Sequence, residues 1–171
     1  MLALICTRDR ETVTIRYGEE QEVMRVRCED ESLAQKLNNA LGMLGVARMD
    51  IADKVKEANL SVVSWTKKFW DASDDLRRSG NPARTGVPER TNCSNSALSW
   101  KFSLDDSGTF KLRSPTGIEC SGRVVQGGHA AVKVHDAIAS EVNWLNMQLS
   151  FWERDTRHVQ KLQEECESMR P

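Results

Sequence analysis

An α+β fold follows from two features of this 171-residue sequence: two long stretches with helical apolar spacing, and two groups of short, alternating, β-branched segments that precede and separate them. The expected architecture is about six antiparallel strands, in two groups, packed with two long amphipathic helices, of which the C-terminal one starts a coiled-coil-like stalk. The strand groups form one sheet or a small sandwich. All of this fits a single domain over 1–171: strands in 2–28, a helical insertion in 30–78, a flexible linker in 79–96, a three-strand meander in 98–125 and a C-terminal helix in 129–169.

The first strand group is Leu2–Cys6, then Thr12-Val13-Thr14-Ile15-Arg16-Tyr17, then Val23-Met24-Arg25-Val26-Arg27-Cys28. Turns are expected at Thr7–Glu11 and Gly18–Gln21. In the third strand apolar and basic residues alternate, which puts one face on a core and the other, bearing Arg25 and Arg27, in water.

The first helix begins near Asp30. Ser32 and Gln35 have capping-box spacing, and Glu29, Asp30 and Glu31 place negative charge at the positive end of the helix dipole. Apolar residues recur at Leu33, Leu37, Ala40, Leu44, Ala47 and Ile51, then at Val55, Ala58, Val62, Trp65, Phe69, Ala72 and Leu76, with a phase shift at Ile51. Gly42 and Gly45 weaken the helix by about 1 kcal/mol each relative to alanine. One rod of about 70 Å is the favoured reading over two helices broken at those glycines. Arg77 and Arg78 suit its C-terminus, and Gly80 with Pro82 ends it.

Between Ser79 and Ser96 only Val87 is a sizeable apolar residue, so the segment is expected to be mobile. The meander follows as Leu98–Leu104, Thr109–Arg113 and Ile118–Val125, turned at Asp105–Gly108 and Ser114–Gly117. Gly127-Gly128 leads into the second helix. Its seam runs through Val134, Ile138, Val142, Leu145, Leu149 and Trp152, is interrupted at Thr156, and resumes at Val159, Leu162, Cys166 and Met169. The pattern is still running at Arg170-Pro171, as expected for the N-terminal part of a longer protein.

Composition narrows function by exclusion. The net charge of −1 lacks the basic excess of a dedicated nucleic-acid binder. The apolar run Met1–Cys6 is too short for a secretory h-region, and no segment approaches a membrane span. Cys6, Cys28, Cys93, Cys120 and Cys166 are odd in number, scattered and without a C-x-x-C pair, so they read as reduced thiols of an intracellular protein, cytoplasmic or nuclear. The sequon Asn92-Cys93-Ser94 then carries no glycan.

No motif specifies a reaction. His129, His135 and His158 with Cys93 and Cys120 match no zinc spacing, no cysteine has a catalytic signature around it, and Gly127-Gly128 lacks the residues of a phosphate loop. No catalytic residue, cofactor or metal is therefore expected. Trp65 and Trp152 fall in the helical seams and read as packing between helices. Trp70 and Trp144, one step off, read as anchors for a partner, together with Phe151, Val159, Leu162 and Met169 of the second helix. Arg77, Arg78, Arg84 and Arg90 form a sparse basic stretch suited to an anionic partner, an acidic protein surface in preference to nucleic acid because no aromatics interleave them.

The expected function is a non-catalytic protein–protein interaction or scaffold module of a larger coiled-coil, cytoskeletal or assembly protein, self-associating through its C-terminal helix. A small enzyme or ligand-binding domain with a site between sheet and helices is one alternative. A nucleic-acid-associated protein using Arg77–Arg90 is the other.

Overall fold

The structure, a computed structural model, describes residues 4–19, 22–91 and 99–170. The chain is α+β and divides into two compact units, Met1–Asp50 with Ala97–Met147 and Ile51–Ser96 with Gln148–Pro171. Asn92, Cys93, Ser94 and Leu98 lie outside the described residues.

In the first unit, strands β1 (Leu4–Asp9), β2 (Thr12–Tyr17), β3 (Glu22–Arg27), β4 (Lys101–Leu104), β5 (Thr109–Arg113) and β6 (Glu119–Gln126) form one antiparallel sheet in the order β1-β2-β3-β6-β5-β4. The two strand groups join where β3 pairs with β6, through a register shift between Arg25 and Val26. That contact depends on Gly122. A Cβ there would lie 2.6 Å from Val26 Cγ1 and 2.9 Å from the Arg27 carbonyl oxygen, so only glycine lets the two strands approach. The first turn is tighter than its sequence suggests: β1 extends to Asp9, and Arg10 takes a φ of 55° in the two-residue link to Thr12.

Strand alternation gives the sheet two unlike faces. Val13, Ile15, Met24, Val26, Phe110, Leu112 and Cys120 are all buried on one of them. Helix α1 (Glu31–Arg78) contributes Ala34, Leu37, Ala40, Leu41 and Leu44 to this core, and α2 (Gly128–Ser168) contributes Val134, Ile138, Val142 and Leu145. Arg8 of β1 donates to Gln35 of α1 at 2.7 Å, and the Phe102 ring of β4 meets the His135 ring of α2 at 5.6 Å. Asn146 clamps the buried Trp100 on both sides: its carbonyl accepts from Trp100 N and its amide donates to Trp100 O, each at 2.8 Å.

α1 begins on a different cap from the expected box. Asp30 Oδ1 accepts from Leu33 N at 2.8 Å, the geometry of an N-cap aspartate one residue before Glu31. Gln35 is drawn instead to Arg8 and Asn39. The helix continues unbroken through Gly42 and Gly45.

In the second unit the later turns of both helices lie side by side and run the same way, since Lys54 reaches Trp152 and Phe69 clusters with Leu162 and Met169. Trp65, Ala72, Leu76 and Cys166 close that cluster. The segment after α1, expected to be mobile, is tied down over 79–91. Arg84 N donates to the buried Ser73 hydroxyl at 2.8 Å, Arg84 meets Glu165 at 3.7 Å, Arg90 meets Asp155 at 3.4 Å, and Lys161 donates to Thr91 at 3.3 Å. It lacks apolar anchors, as the sequence implies, but single polar groups hold it to both helices.

Candidate functional site

The sheet face turned away from the helices is the most distinctive surface of the first unit. Register places Arg16 of β2, Arg25 and Arg27 of β3, Lys101 of β4, Lys111 and Arg113 of β5 and Arg123 of β6 on it, against the acidic Asp9 and Glu119. Threonine and serine fill most of the remaining positions: Thr7, Thr12, Thr14, Ser103, Thr109 and Ser121. All of these basic side chains are exposed except Arg16, which is half-buried. Seven of the 24 lysines and arginines of a chain with net charge −1 therefore share one face of a hydrogen-bonded sheet.

Neutralisation on this face is partial. Arg27 lies 3.7 Å from Glu11, and Arg25 donates to Gln126, a neutral partner. Among the described residues no carboxylate comes within ion-pair distance of Lys101, Lys111, Arg113 or Arg123. Two cross-strand rows sit side by side at one end: Lys101–Arg113–Glu119 and Ser103–Lys111–Ser121. Directly opposed side chains in an antiparallel sheet are about 5 Å apart at Cβ, so these groups share one patch. A shallow depression of about 280 Å³ opens there, lined by Lys101, Ser103, Lys111, Arg113 and Glu119.

The chain matches no known protein family, no characterised protein and no solved structure. The surface itself is the basis for a functional reading.

The residues singled out in the sequence are spread over both units. Trp70 is 40% exposed and stacks edge-on with Phe69 at 5.2 Å. Trp144 is engaged within the chain: the Arg48 guanidinium lies 3.8 Å over its ring while donating two hydrogen bonds, 3.1 and 2.9 Å, to the buried Glu141. Phe151 is 37% exposed with Arg154 5.2 Å from its ring, and Val159 is half-buried. Leu162 and Met169, expected as partner contacts, are instead core residues against Phe69, because α1 supplies the cover that the α2 seam requires.

The four arginines of the basic stretch each face a carboxylate: Arg77 with Asp74 at 3.5 Å, Arg78 with Asp75 at 3.7 Å, Arg84 with Glu165 and Arg90 with Asp155. Such pairing leaves little net positive potential there. The sequence reading located Arg25 and Arg27 on a wet face but missed the other basic residues of the sheet. The signal was present, as Lys111-Leu112-Arg113 repeats the basic–apolar–basic alternation of Arg25-Val26-Arg27. Strand order and register were needed to add the strands together.

Four thiols and one histidine away from this face are shifted by burial. Burial pushes the Cys6 thiol up to about 11 and raises Cys28, Cys120 and Cys166 above the usual thiol range. His158 is buried, and burial followed by the Arg90 cation lowers its pKa. Among the described residues no group of three or more His, Cys, Asp or Glu converges in a metal-binding arrangement. No helix of the described residues is long and apolar enough to cross a membrane.

Proposed function

We propose that this chain is a non-catalytic protein–protein interaction module that docks an acidic protein surface on the open face of its sheet. The segregation of Arg25, Arg27, Lys101, Lys111, Arg113 and Arg123 onto that face carries the reading. Complementary potential of this kind sets partner choice and speeds encounter. The face bears no aromatic ring for bases to stack on, which favours an acidic protein over single-stranded nucleic acid. Thiols kept protonated by desolvation at Cys6, Cys28 and Cys120 fit a binding role better than cysteine-based nucleophilic chemistry.

A glutamate-rich peptide tests this reading. Its affinity at low salt should fall about tenfold in the triple variant Arg25→Gln/Arg27→Gln/Arg123→Gln, with the thermal melt unchanged, and should weaken with added salt in the parent chain. Equal binding by the parent and the variant removes the sheet face from the account.

A second reading concerns self-association. Leu60 (59%), Val63 (63%) and Trp70 (40%) stand exposed on α1, at spacings that place them along one side of the helix. Assembly through that stripe keeps the scaffold role and shifts its site from α2 to α1. A solution mass that stays monomeric at high concentration excludes it.

A further inference from the structure

We propose that the depression at the β4–β5–β6 end of the sheet is a phosphoryl subsite, and that the acidic partner presents a phosphorylated serine or threonine to it. The inference deepens the reading above and rests on it.

Two strands bring three cations and the Ser103 hydroxyl to the depression, which Phe102 and Leu112 also line, and a third strand sets Ser121 beside it. Arg113 occupies the central strand, Lys101 stands directly opposite it on β4, and Lys111 stands two residues away on the same side of β5. Ser103 and Ser121 flank Lys111 from the two neighbouring strands. None of the three cations is paired with a carboxylate among the described residues, although Glu119 stands opposite Arg113.

With Glu119 counted, and Asp105, whose carboxylate feels the Lys111 charge, the four cations Lys101, Lys111, Arg113 and Arg123 still leave a local positive excess, which suits a dianion better than a single carboxylate. A phosphoryl group carries a charge of about −1.5 to −2 near neutral pH and three acceptor oxygens. The planar guanidinium fork satisfies two of those oxygens, and lysine ammonium groups and serine hydroxyls supply donors for the third. A cavity of about 280 Å³, open to solvent, admits such a head group without displacing the core beneath it. The backbone is fixed by ladder pairing on both sides of β5, so the points from which these side chains spring are held in place.

The experiment compares three acidic peptides of one sequence, carrying serine, glutamate or phosphoserine at the central position, against the parent chain and Lys111→Gln/Arg113→Gln. Phosphoserine should bind about tenfold more tightly than serine and clearly more tightly than glutamate. The double variant should weaken binding of all three peptides, because Lys111 and Arg113 also belong to the docking face, but the ratio of phosphoserine to serine affinity should fall to near one; both substitutions are at exposed positions that leave folding intact. A phosphoserine gain no larger than that of glutamate overturns the subsite and leaves acidic docking standing. Failure of all three peptides to bind overturns both readings. A duplex oligonucleotide that binds more tightly than the phosphopeptide, and loses that binding in the double variant, overturns the choice of a protein partner.

Discussion

His158 is buried in the second unit beside Arg90, Asp155, Arg154 and Lys161, with its Nδ1 lacking a hydrogen-bond partner. Its folded-state pKa lies below the ordinary 6.5, chiefly through burial. A depressed histidine contributes stability that is fully present above the unfolded pKa and is lost as pH falls through 6.5 towards the folded value. Urea midpoints taken on either side of that pH should therefore drop on acidification, and His158→Leu should flatten this component; parallel pH profiles contradict it. Arg48 and Glu141 make a second case. Glu141 is 5% exposed and accepts both of its bonds from Arg48, which also covers Trp144. Arg48→Met strands a buried carboxylate and should cost about 2 kcal/mol, less than a fully buried pair because Arg48 is partly solvated. Arg48→Met/Glu141→Leu should recover most of that loss in a chemical-denaturation cycle. Alkylation at neutral pH should be slow at Cys6, Cys28, Cys120 and Cys166, since burial keeps each thiol protonated.

Among the elements, the strands were the most legible. Thr12–Tyr17 and Thr109–Arg113 have the boundaries read from β-branched alternation and flanking turn residues, because both signals are local. The start of α1 near Asp30 was legible, but its cap was not. Asp30 and Ser32 are both competent caps, and the choice falls to Asp30 while Gln35 is engaged by Arg8, 27 residues away. The polar contacts of the 79–91 segment were not legible for the same reason: its partners on α2, Asp155, Lys161 and Glu165, are some 65 to 81 residues distant and leave no local trace. Two glycine experiments separate local from tertiary demands. A Cβ at Gly42 or Gly45 meets nothing within 4 Å, so alanine at either position should stabilise α1 by about 1 kcal/mol in denaturant titrations. Gly122→Ala forces a Cβ against Val26 and the Arg27 carbonyl and should cost about 2 kcal/mol, the price of parting β3 from β6. Equal effects at all three sites contradict the β3–β6 assignment.

For the molecule as a whole, the fold class was readable and the basic sheet face was not. Each strand shows its own basic residues, but their addition into one face depends on the β1-β2-β3-β6-β5-β4 order and on the register between the two strand groups. A near-neutral composition concealed the result, because the acidic residues that offset these cations are scattered through turns and helices, Glu29, Asp30, Asp105 and Asp106 among them. The helical seams suggested a partner site on α2, and most of that apolar surface is consumed inside the chain by Phe69, Trp65 and Leu76. The central claim is that the sheet face, and not the Arg77–Arg90 segment, receives an acidic partner. Amide shift mapping of the chain titrated with a glutamate-rich peptide tests it most directly. The account predicts perturbations that concentrate on the outward-facing residues of β3, β5 and β6, with Arg25, Lys111, Arg113 and Arg123 among them; perturbations confined to residues 77–90, or to the Leu60–Trp70 side of α1, contradict it.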